Sequence, residues 1–156
     1  VILRPHEVAL AEAVGRARQK SALENGRPDR YGYDEQDPEA MHIAAAGGEL
    51  AAAIVYRLPW TGCYYRSLHP KPADIGRATE VRSRSQTWHN LIVHPEDPDD
   101  WKFVLVHIDG DFEYEVCGCI SGARAKNPDW WKDPAGGRPA FFVPQTALTP
   151  APQLQS

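Results

Sequence analysis

Apolar residues recur at helical spacing through the first third of the chain and at strand spacing through most of the rest, with the change falling in the proline-containing stretch Pro59 to Pro72. The first helix is predicted from about Pro5 to Glu24, stopped by Asn25-Gly26, and its Arg16, Arg18 and Lys20 read as solvated. Residues Arg27 to Gln36 are polar and rich in turn formers, and read as a loop. Asp37 is a suitable N-cap and Pro38 a suitable first residue for a second helix, whose apolar set Ile43, Gly47, Leu50, Ile54 and Leu58 runs until Pro59 ends it. Glu49 shares a stripe of that helix with His42, Ala45, Ala46, Ala52, Ala53 and Tyr56, and side chains this small would let the helix approach a sheet closely.

Strands are predicted over Glu80 to Ser83, His89 to His94 and Lys102 to Ile108. Phe103-Val104-Leu105-Val106 is apolar on both faces, as a strand covered on two sides must be. Asp109-Gly110 signals a hairpin. In the returning strand Phe112, Tyr114, Val116, Gly118 and Ile120 alternate with Glu113, Glu115, Cys117 and Cys119, which assigns the two sets to opposite faces. Ser121 to Lys126 reads as a helical turn, Asp129 to Gly137 as a loop, Ala140 to Val143 as a last short strand, and Thr149 to Ser156 as a frayed tail. The expected architecture is α/β, a central mixed sheet flanked by helices. It forms one domain over residues 1–148, with an N-terminal helix and loop over 1–36, a core over 37–148 and a flexible tail over 149–156.

A chain of 156 residues is long enough for one substantial core. Nothing in it approaches the ~20 apolar residues of a membrane span, so no membrane is expected. Three cysteines, Cys63, Cys117 and Cys119, fit a reducing cytoplasm better than a disulfide framework. The net charge of −4 argues against a general nucleic-acid coat, but the charges are unevenly spread. Acids gather in Asp34 to Glu39 and Glu96 to Asp100, whereas Lys71, Arg77, Arg82 and Arg84 crowd the stretch around Asp74-Ile75-Gly76-Arg77-Ala78-Thr79-Glu80-Val81-Arg82.

That stretch carries the candidate chemistry. In an extended strand Glu80 and Arg82 share a face while Val81 points the other way. A turn at Gly76 brings Asp74 beside Glu80, and two such carboxylates hold a hard cation such as Mg2+ with positions left for water and phosphate. The competing reading is a solvated strand edge. Elsewhere the structural readings lead: Cys117-Gly118-Cys119 places two thiols on one face without the four paired ligands of a usual zinc site, and His107 falls inside an apolar strand as a core histidine. Trp88, Trp101, Trp130 and Trp131 could stack on bases, but packing is the commoner use of such residues.

A helix bearing an acid (Gly48-Glu49-Leu50), then Asp74 followed by Glu80-Val81-Arg82, then alternating strands, resembles the PD-(D/E)xK nuclease superfamily, in particular its small phage-type members. The likeness covers roughly Pro38 to Leu148. It includes Phe103-Val104-Leu105-Val106, the run Gly118 to Lys126 and Phe142-Val143-Pro144-Gln145, which look like the scaffold of such phage proteins. The resemblance implies a restriction-endonuclease-like core and a Mg2+-dependent (or Mn2+-dependent) deoxyribonuclease, phage-encoded and working in the cytoplasm of a bacterial host. By it Asp74, Glu80 and Glu49 would be metal ligands, and these with Arg82 the catalytic set. Lys71, Arg77 and Arg84 would rim a groove for DNA; a homodimer is compatible with the sequence. Arg82 stands where the family usually has lysine. A guanidinium cannot act as a general base, although its planar fork can hold a phosphate. The alternative is a catalytically inactive protein of the same fold that binds DNA or another protein.

Overall fold

The computed structural model describes residues 1–24, 37–64, 70–134 and 136–154. Asn25-Gly26, the loop over 27–36 and the last two residues of the tail lie outside them. Helix α1 spans Pro5–Glu24 and α2 spans Pro38–Tyr56. The Asp37 carboxylate accepts the Glu39 amide at 3.0 Å, which caps α2 at the residue expected. The helix ends two residues before Leu58. Leu58 precedes a proline and is biased away from helical dihedrals, so the chain leaves the helix earlier, through Arg57 in the left-handed region at φ 55°.

Among the described residues seven strands follow, β1 Thr79–Arg84, β2 Leu91–Val93, β3 Lys102–Gly110, β4 Glu113–Ser121, β5 Trp131–Lys132, β6 Ala140–Val143 and β7 Thr149–Pro150, with a helical turn, α3, at Gly122–Ala125. They form a four-stranded mixed sheet in the order β1-β3-β4-β7 and a small antiparallel sheet in the order β2-β6-β5. β1 runs parallel to β3, with Glu80 beside Phe103 and Arg82 beside Leu105. The two helices pack on one face of the larger sheet. Val104, Val106 and Tyr114 meet α1 and α2 there, while Phe103, Leu105 and Ile120 meet Leu91, Val93 and Val143 on the other face. The double-sided apolar run of β3 is thus covered twice, as its composition requires.

α2 is enclosed all round from Ala46 to Ala53. Its small residues make that enclosure feasible: a β-carbon on Gly47 would collide with the Tyr114 hydroxyl, and one on Gly48 with the Ser83 hydroxyl. Among the described residues no helix is long and apolar enough to cross a membrane.

Three local expectations are corrected. β4 does not alternate to its end, because the register slips between Leu105 opposite Gly118 and Val106 opposite Val116, leaving Cys117 as the extra residue of a bulge. Cys119 therefore packs toward the helices and Cys117 toward the second core, so the two thiols do not share a face. Gly118 is needed in that bulge because a β-carbon would strike the Thr149 carbonyl of β7. The tail is anchored rather than frayed at its start, since Thr149 and Pro150 pair with Cys119 and Gly118. Within the expected 129–137 loop, Trp131–Lys132 pairs with β6 as a short strand.

Candidate metal and phosphate site

β1 is an edge strand, and its Val81 amide points away from β3. Asp74 supplies the missing acceptor: its Oδ2 takes the Val81 N–H at 2.8 Å. The carboxylate reaches that amide because the chain doubles back between them, closed by the Ile75–Thr79 bridge and turned at Gly76 with φ +58°. Glu80 lies on the other side of the same loop. Both acids are buried, and the Lys71 ammonium lies between them, 3.1 Å from both Glu80 oxygens and 3.8 Å from Asp74 Oδ1. Burial raises the Glu80 pKa and the Asp74 charge raises it further, while Lys71 and Arg82 oppose the rise. Lys71, which the sequence places on the rim of a groove, stands against the acid pair with its side chain 54% exposed.

Arg82 extends from the same face of β1. Its guanidinium pairs with Asp97 at 3.1 Å, approaches Glu80 at 3.9 Å and lies 5.3 Å over the Phe103 ring. Asp97 is itself fixed by the His94 amide at 2.7 Å. Arg84, two residues on, donates to the Asn90 carbonyl at 3.2 Å, and Arg77 is exposed in the turn between Asp74 and β1. Glu80, Arg82 and Arg84 thus form one row along the strand, spaced by about 7 Å per pair of residues.

Glu49 is held differently. Its carboxylate receives two parallel hydrogen bonds from Arg18, at 2.7 and 2.9 Å, and a third from the Trp60 indole at 3.0 Å. Arg18 is not solvated, contrary to the reading of α1: its side chain is 10% exposed and also donates to the Cys63 carbonyl. Its position follows from the buried stripe Ala11 and Gly15, which Arg18 continues one turn later on the face turned to α2. Burial pushes the Glu49 carboxyl up to about 7, the Asp74 charge adds to that, and Arg18 and Trp60 pull against it.

Among the described residues, the one group of three or more His, Cys, Asp or Glu side chains whose ligand atoms all lie within 4.8 Å of one another is His107, Glu115 and Cys117. Glu49, Asp74 and Glu80 form no such set. Asp74 and Glu80 are joined through a single removable ammonium, and Glu49 faces a fixed guanidinium. Asp74 and Glu80 offer oxygen donors of the type Mg2+ takes, one or two carboxylates with several waters, although Asp74 Oδ2 is engaged by the Val81 amide. A divalent ion would replace the positive charge that Lys71 now brings to the two acids. Sequence reasoning missed Arg18, Trp60 and Asp97. Of these, Arg18 was signalled by the small-residue stripe it continues.

Of the aromatic candidates, Trp88 is 71% exposed and Trp131 packs on Phe141 at 4.8 Å between ring centres, while Trp101 and Trp130 lie against the second core. No family model, curated protein or solved structure matches this chain.

Proposed function

We propose that this protein is a metal-dependent phosphodiester hydrolase acting on DNA, with Asp74 and Glu80 holding the ion and Arg82 holding the phosphate. The single observation that carries the reading is the Lys71 ammonium bridging two buried carboxylates, a site for positive charge already built and occupied only by a half-exposed side chain. An ion held by Asp74 and Glu80 would supply Lewis-acid polarisation of a phosphoryl oxygen and activation of water. The residues of the chain do the rest. Arg82 keeps its charge at any working pH and offers its fork to a phosphate oxygen, with Asp97 and the Phe103 ring setting its direction. Lys71, released from Glu80, is placed to offset charge on the same phosphate. Arg84, next along the strand, and Arg77 in the turn are positioned for neighbouring phosphates. Glu49, neutralised by Arg18, backs the site without binding the ion.

This corresponds to the restriction-endonuclease-like reading of the core, with the helix acid demoted from ligand to support. Incubation of the chain with linear, circular and branched DNA in Mg2+ or Mn2+, with a chelator control, tests it. Cleavage that needs the ion and disappears in Asp74→Asn and Glu80→Gln is the expected outcome. Cleavage undiminished in both variants would place the chemistry elsewhere. The second reading is a DNA-binding module in which Lys71 already satisfies the two acids and no ion is held, and salt-sensitive DNA binding without cleavage under any ion would select it.

A further inference from the structure

Four residues beyond the acid pair, about 13 Å along the sheet, a second set of ligand atoms meets on the face turned away from α2. His107 on β3 lies directly opposite Glu115 on β4, and Cys117 is the bulge residue two positions further on. The His107 ring is 2% exposed and its Nε2 lies 3.2 Å from the His89 carbonyl, which also receives the Gln145 amide at 3.1 Å. A carbonyl oxygen only accepts, so Nε2 carries a hydrogen, and in the neutral ring that metal binding requires Nδ1 keeps its lone pair. That lone pair faces the Cys117 sulfur at 3.3 Å and the Glu115 carboxylate at 3.9 Å.

The His107–Cys117 separation is that of neighbouring donors on one metal ion, the His107–Glu115 separation is slightly longer, and all three ligand atoms lie within 4.8 Å of one another. Ligand bonds of 2.0 to 2.3 Å arranged tetrahedrally put neighbouring donor atoms about 3.3 to 3.7 Å apart. An imidazole whose other nitrogen donates to a carbonyl is oriented as metal-binding histidines are. A sulfur, a nitrogen and one carboxylate select against Mg2+ and Ca2+, which take oxygen, and suit Zn2+. The Glu115 side chain is 59% exposed, which leaves an entry path from solvent. We propose that His107 Nδ1, Cys117 Sγ and the Glu115 carboxylate form a zinc site that ties β3 to β4 at the bulge. On binding, the Cys117 thiol gives its proton to solvent and the sulfur binds as thiolate. The site is independent of the acid pair and does not rest on the nuclease reading.

Cobalt substitution tests it on the full chain. Co2+ is titrated in excess Mg2+, so that hard oxygen sites are filled, and the near-ultraviolet thiolate-to-cobalt absorption is followed. The expected result is saturation at one ion per chain and bleaching by one equivalent of Zn2+. Cys117→Ser should abolish the thiolate band. Glu115→Gln, at an exposed position, removes a direct ligand and should weaken binding by more than about 10-fold, the lower bound for loss of even an outer-shell partner. Cys119→Ser and Cys63→Ser should leave the titration unchanged, since Cys119 faces the helices. Absence of the band, its persistence in Cys117→Ser, its loss in Cys119→Ser, or unaltered affinity in Glu115→Gln would each overturn the proposal.

Discussion

Glu49 and Glu80 are both buried carboxylates raised in pKa by the same cause, yet they are held by opposite means. Glu49 meets a guanidinium fixed in its rotamer by a buried stripe of α1, with the Trp60 indole completing its hydrogen bonds. Glu80 meets an ammonium on a flexible, half-exposed stem. The difference separates a carboxylate committed to the fold from one available to a ligand. A planar fork bonded twice resists displacement, whereas a lysine can swing to solvent at little cost.

The strongest way to break that comparison is Arg18→Ala. Removing a partner from a buried pair leaves an uncompensated charge, and the variant should lose about 3–5 kcal/mol of stability at pH 8 in denaturant titrations. The loss should shrink toward pH 5, because Glu49 can then take a proton. Arg18→Ala/Glu49→Gln should recover part of it at pH 8. A cost under about 1 kcal/mol at pH 8 would mean that Glu49 does not depend on α1.

Asp74 sharpens the contrast from the other side, since the residue proposed to hold the ion also closes the sheet edge. Asp74→Ala orphans the Val81 amide at the sheet edge and should cost about 1–3 kcal/mol. Asp74→Asn keeps an acceptor for that amide and should cost clearly less, while still removing the charge an ion needs. Equal costs for the two variants would show that the 2.8 Å bond contributes little.

The raised Glu49 pKa gives a signed pH effect. With a folded value of about 7 and an ordinary unfolded value, the folded state binds the extra proton, so this part of the stability is complete below pH 4.5 and is lost as pH rises toward 7. The slope is at most about 1.4 kcal/mol per pH unit. Glu49→Gln should flatten it, as read from thermal midpoints between pH 4.5 and 7.5. A slope that is unchanged, or that has the opposite sign, would contradict the assignment.

Lys71→Met should have the smallest effect on stability, no more than about 1 kcal/mol, because the Lys71 side chain is half exposed and the pair is partly screened. A loss approaching that of Arg18→Ala would erase the distinction between the two carboxylates.

Much of this arrangement was legible in the chain. The N-cap at Asp37, the two-sided β3 and the turn at Gly76 follow from local chemistry, and each sits where its residues place it. Arg18 was misread because a charged residue in a polar helix is ordinarily solvated; only the spacing of Ala11 and Gly15 before it marks a face that another helix must cover. The bulge at Cys117 could not be read from alternation, since it sits where β7 crosses Gly118, a contact between residues some thirty positions apart. Lys71 illustrates the same limit. Its sequence neighbours place it near Asp74, but only the folded loop puts its ammonium on Glu80.

The most direct test of the central claim is a Mn2+ titration, by calorimetry or by the paramagnetic signal of the free ion, on the Cys117→Ser protein and on the same background carrying Glu80→Gln or Glu49→Gln. Binding of one ion that Glu80→Gln abolishes and Glu49→Gln leaves within a few-fold is the predicted result. Binding that survives Glu80→Gln, or that is lost equally in Glu49→Gln, would contradict the account.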